Sequence, residues 1–114
     1  MTISDAQREQ VKKIIEYLEV VRRRPLMYFG PEPLAVLPFV EGFKFGCSIL
    51  GVSYGSGHEH EAMLKDIVIK RGWRWNASRH PAEVMEKEGY DNLKIIDEVL
   101  QIEIELWKRH LGIE

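Results

Sequence analysis

The stretch VKKIIEYLEVVRRRPLMYFG, residues 11–30, holds a helix and its abrupt end, and the fold is read outward from it. Val11, Ile14, Ile15, Leu18 and Val21 recur at helical spacing and form one apolar stripe, while Lys12, Lys13, Glu16 and Glu19 fill the solvated face. Ser4 and Gln7 have capping-box spacing, which sets the start of this helix at Ser4. Arg22, Arg23 and Arg24 close it, where positive charge complements the helix dipole. Pro25 biases Arg24 away from helical geometry, and Gly30 with Pro31 punctuates the exit. Met27, Tyr28 and Phe29 then stand in a connecting loop read as too short for a helix. Three large apolar groups in such a loop either plug a core or meet a partner.

Downstream, a second helix is expected from near Pro33 to Gly51, with Pro38 in or near its first turn. Leu37, Val40, Phe43, Cys47 and Leu50 share one face, and Phe39, Phe45 and Ile49 populate the others. A helix apolar on most sides is expected at the centre of the fold. Gly42 and Gly46 fall on one face and weaken the helix, so the close approach of a neighbouring helix or of a second protomer should compensate. Residues 51–57 connect. Ser56 and Glu59 repeat the capping-box spacing and open a third helix carrying Met63, Leu64, Ile67 and Val68 inward, with a stop at Gly72. The run 67–69 has a short strand as its alternative reading. Pro81 opens a short helix through Glu88. A last helix starts near Asp91, with Leu93, Ile96, Leu100, Ile104, Trp107 and Leu111 as its main stripe and Ile95, Val99, Ile102 and Leu106 widening it. The fold class is all-α: one domain over residues 1–114, an irregular bundle of about five helices.

Composition sets the bounds on function. The 114 residues carry 30% charged and 45% hydrophobic side chains, an ordinary globular balance, and a net charge of −2 gives no long-range pull toward nucleic acid. The single Cys47 lies in an apolar stretch and reads as a small buried hydrophobe of a reducing compartment, with its thiolate suppressed. With no signal peptide and no membrane-length apolar run, a cytoplasmic protein without a membrane partner is expected.

Two resemblances attach to the motif. Tyr17 to Gly30, with Arg22-x-Arg24-Pro25-x-Met27-Tyr28-x-Gly30, resembles the segment preceding the ATPase core of gyrase B-type topoisomerases, where the next helix bears a catalytic Glu and a metal-binding Asn. Aligning Glu41 with that Glu puts Phe45 at the Asn position, and the adenine-holding Asp-x-Gly-x-Gly element is absent. No catalytic residue carries over, and ATP hydrolysis is not expected. The order of this motif, then Phe39-Val40-Glu41-Gly42-Phe43, then tryptophan-bearing helices also resembles small bacterial helical proteins of the immunity or accessory type. That resemblance implies a helical fold and a binding role.

The candidate chemistry is sparse. His58 and Glu61 are spaced to reach one ion, whereas His58 and His60 diverge by about 200° on a helix. Two ligands fall short of the four that structural zinc takes, and His80 or His110 would have to complete the set, so no metal and no cofactor are expected. Glu98, Glu103 and Glu105 lie on the last helix among apolar residues and are expected to be mostly solvated. No catalytic activity is expected. Tryptophan, tyrosine and arginine dominate interface hot spots, and they gather in two loops. Arg24, Met27, Tyr28, Trp73, Arg74 and Trp75 are the interface candidates, with another protein or a second copy as partner. The competing readings are core filling by Met27 and Tyr28, and nucleotide or nucleic-acid binding through the gyrase-like segment and the basic-aromatic loop 70–76.

Overall fold

The structure is a computed structural model, described over residues 4–30, 34–54 and 57–112. Six helices follow in order: α1 (Asp5–Arg23), α2 (Pro25–Tyr28), α3 (Val36–Ile49), α4 (Gly57–Lys70), α5 (Pro81–Lys87) and α6 (Asn92–His110). Among the described residues there is no strand, and the run 67–69 is helical. No described helix is long and apolar enough to cross a membrane.

Local signals place most boundaries. Ser4 Oγ accepts from the Gln7 amide at 3.2 Å while Gln7 Oε1 accepts from the Ser4 amide at 3.2 Å, a complete capping box. Asp91 caps α6 by accepting from the Lys94 amide at 2.9 Å. At the end of α4, Trp73 N–H reaches Val68 C=O and Gly72 N–H reaches Ile69 C=O, the paired bonds of a Schellman stop. Gly72 sits at φ +87°, which an L side chain tolerates poorly. The proposed Ser56 cap and the Pro33 start of the second helix lie outside the described residues.

Two expectations are corrected. Residues 25–28 form one helical turn, not a loop, which accounts for the sixth helix. Pro25 stands at its first position, where a missing N–H leaves no bond unmade, and Arg24 takes the non-helical φ −132°, ψ 59°. The second correction concerns the centre. It is α6, not α3, that the others surround: ten of its 19 residues are buried, and α1, α4 and α5 all pack on it. A stripe widened by Ile95, Val99, Ile102 and Leu106 offers apolar surface in several directions at once. By contrast α3 buries only Val36 and Val40, and Leu50 of its expected inner face is exposed. Its apolar side chains point all round, and Gly42 and Gly46 supply none, so one narrow stripe docks.

Candidate partner-binding surface

The one-turn helix α2 sorts its side chains sharply. Phe29, just beyond its end, turns inward and sets its ring edge-on to Phe39 at 5.2 Å. It fills the junction that the competing core reading assigns to Met27 and Tyr28. Leu26 and Met27 are 75% and 71% exposed, Arg24 is exposed beside them, and α2 buries none of its own residues. Tyr28 is steadied by Tyr17 in an edge contact at 6.3 Å, and Tyr17 in turn stacks on Phe43 at 5.6 Å. Beneath them Arg22 donates to Asp97 at 2.7 Å and to Glu19 at 3.3 Å, and the Asp97 hydrogen bond lifts its guanidinium pKa still higher. Of the arginine run, Arg22 is committed to α6 while Arg23 and Arg24 face outward.

The second loop divides in the same way. Trp73 is half-buried, donates its indole N–H to Glu98 at 3.1 Å, and meets Tyr90 edge-on at 4.7 Å. Arg74 is exposed, 3.9 Å from Glu88. Trp75 is half-buried and shared by two shallow grooves of about 330 and 310 Å³. The first is lined by His58, Glu61, Ala62 and Lys65, the second by His60, Leu64 and His80 among others. His58 and Glu61 thus share a groove, but among the described residues no three His, Cys, Asp or Glu side chains are placed to hold a metal. His80 is spent on a cap: its Nδ1 accepts from the Ala82 amide at 3.0 Å. His110 stands edge-on to Trp107.

Two carboxylates expected in solvent are buried instead. Burial alone would raise the Glu98 carboxyl, yet the hydrogen bonds from Arg71 and Trp73, with the charges of Arg71 and Lys94, hold it below the usual range. Arg71 also donates to Gln101, which donates to Asp97, so one polar network ties α1, the end of α4 and Trp73 to α6. Glu103 has weaker support. Its oxygens accept from Tyr54 Oη at 2.9 and 3.2 Å, and Lys44 lies 5.3 Å over the Tyr54 ring. Desolvation pushes the Glu103 carboxyl up to about 7, against the opposing pull of Lys44 and the Tyr54 hydrogen bond. Tyr54 stacks on His60 at 5.0 Å and meets Trp107 at a tilt at 4.7 Å, and burial beside Glu103 raises its phenol pKa as well. A cavity of about 40 Å³ lies among Lys44, Ser53, Tyr54 and Trp107, the scale of an ordered water. A proton can be held here near neutral pH, beside a space that takes one water. The readable signal was spacing: Glu103 falls four residues after Val99 and four before Trp107, on the buried stripe.

Comparison with family models, with curated proteins and with solved structures finds no match to this chain.

Proposed function

We propose that this chain is a non-catalytic protein-binding module that offers α2, with Arg24, Leu26, Met27 and Tyr28, to another protein. The observation that carries this is the exposure of Leu26 and Met27 at 75% and 71%, on a helix that contributes no buried residue. Apolar side chains held outward beside an arginine and a tyrosine make the composition of an interface hot spot. The burial of Glu103, whose carboxyl is hydrogen-bonded by Tyr54, supports a role without catalysis. The resemblance of the motif to immunity-type or accessory proteins extends the reading to a cytoplasmic bacterial factor of that kind.

Capture from the native host's lysate tests it, comparing wild type with a Leu26→Ser/Met27→Ser variant. Both substitutions lie at the surface, so the melting curve should not move. A protein retained by wild type and lost by the folded variant supports the reading; identical captured sets for the two sink it.

A second reading has one observation in its favour. Arg74, Arg79 and Lys87 line a groove of about 320 Å³ with Asn76, Val84 and Glu88, and such cations suit the phosphates of a nucleotide or nucleic acid. Mobility shifts with single- and double-stranded DNA and RNA, weakening steeply with salt, would favour it over protein binding; no shift at low salt removes it.

A further inference from the structure

The outward face of α3 is a second surface, distinct from α2. Pro38, Gly42, Phe45, Gly46 and Ile49 follow helical spacing along the side opposite Val36 and Val40. Phe45 and Ile49 are 69% and 70% exposed, and Leu50 just beyond the helix is 79% exposed. A Cβ placed on Gly42 or Gly46 would meet nothing within 4 Å. Among the described residues no neighbour approaches either position, so this side of α3 is open to an intermolecular contact. The centre of the face bears no charge. Glu41 stands at its margin, paired at 3.7 Å with Lys44, which leans over the Tyr54 ring instead.

We infer that this face binds a second copy of the same chain, with α3 crossing its symmetry mate about a two-fold axis. The surface fits itself. Bulky Phe45 and Ile49 share the face with the empty positions Gly42 and Gly46, so a two-fold axis sets the projections of each copy over the gaps of the other. The glycines let the two backbones approach closely. An isologous contact requires such self-complementarity, and an uncharged centre avoids the like-charge repulsion that the same operation would impose.

The area agrees with a dimer. Phe45, Ile49 and Leu50 expose roughly 450 Å² together, and the exposed Pro38, Gly42, Gly46 and Ser48 extend the face toward the about 600 Å² per partner at the lower end of a standard interface. That is about a tenth of the 7217 Å² surface, the share such interfaces take. Because α2 is not needed for this contact, the self-association and the heterologous binding proposed above stand or fall separately.

Sedimentation velocity across a concentration series tests the inference on the full chain. Wild type is expected to shift from its 13.3 kDa monomer to twice that mass. Phe45→Glu should weaken association at least about 30-fold, the loss of a central hot-spot residue, with an unchanged helical spectrum. Gly46→Gln adds bulk without charge and favours the helix, so it should leave a folded monomer at least as stable as wild type while abolishing the dimer. A wild type that remains at 13.3 kDa up to about 0.1 mM, where even a dimer with a dissociation constant of about 1 μM would be largely formed, overturns the inference. So does a dimer that both variants leave intact. The Leu26→Ser/Met27→Ser variant should dimerise normally, and its loss of a captured protein would report on the α2 surface alone.

Discussion

Replacing Glu103 with glutamine should stabilise the protein above neutral pH and leave it almost unchanged at pH 5. The folded chain holds this carboxyl up to about 7 against an ordinary 4.5, so between those values it binds a proton that the unfolded chain has released. Stability therefore falls as pH rises through that window, and levels off above it. At about 1.4 kcal/mol for each pKa unit, carrying the buried charge costs the folded state up to about 3 kcal/mol at pH 8. Glutamine keeps the shape and still offers an oxygen to the Tyr54 hydroxyl, now 2.9 Å away, without the charge. Other groups titrate nearby. His60, His80 and His110 are all lowered by burial, so they contribute stability that is lost as pH falls below their ordinary 6.5, the opposite slope. They are common to both proteins and cancel in the difference, as do Lys44 and Glu41, the charges facing the cluster. Urea denaturation followed by circular dichroism, at one fixed protein concentration and at steps from pH 5 to 8, reads that difference. It should open from near zero to about 2–3 kcal/mol in favour of glutamine. A difference that stays flat with pH, or a glutamine variant less stable at pH 8, would refute the reasoning.

Three further outcomes follow from the contacts described. Phe29→Ala should cost about 3–5 kcal/mol, because a buried ring leaves a cavity against Phe39, whereas Met27→Ala, two residues away, should stay within about 0.5 kcal/mol; paired urea titrations measure both. Trp73→Phe keeps the ring against Tyr90 but strips the donor from buried Glu98, and should lower stability by about 1–2 kcal/mol in the same assay. Ser4→Ala removes the acceptor for the Gln7 amide and should cost about 1 kcal/mol, with faster amide exchange confined to the first turn of α1.

What the sequence disclosed and what it withheld divide by distance along the chain. The Ser4–Gln7 box, the start at Pro81 and the stop at Gly72 are satisfied within a few residues, so their spacing alone announces them. One turn of helix at Pro25–Tyr28 is too short for any periodicity to show. The apolarity of α3 says that the helix wants cover, and nothing in its pattern says whether this chain provides it. The partners of the α6 acids are hidden for the same reason. Glu98 is neutralised by Arg71, 27 residues away, and Glu103 is hydrogen-bonded by Tyr54, 49 residues away, and no local pattern carries such pairings. The basic-aromatic loop reads as one uniform strip, yet Glu98 draws Trp73 inward and leaves Arg74 outside, a choice made entirely by the partner helix. Of the interface candidates, the residue types at Arg24, Met27 and Tyr28 were legible. Their outward aim was not, because it depends on Phe29 occupying the inner position.

The clasp between α1 and α6 has a consequence for how freely the chain between them can change. Arg22 and Asp97 are 75 positions apart, and Arg8 reaches the Leu111 carbonyl across 103, so everything from α2 to α5 is carried on one long closed loop. Closing such a long loop slows assembly, since its entropy is lost before the distant helices repay it. Lengthening the loop costs little, though, about 0.6 kcal/mol for each doubling. Segments inserted in the exposed turn 76–79 between α4 and α5 should therefore be accepted with little loss of stability, while a comparable insertion within α6 would sever the clasp itself.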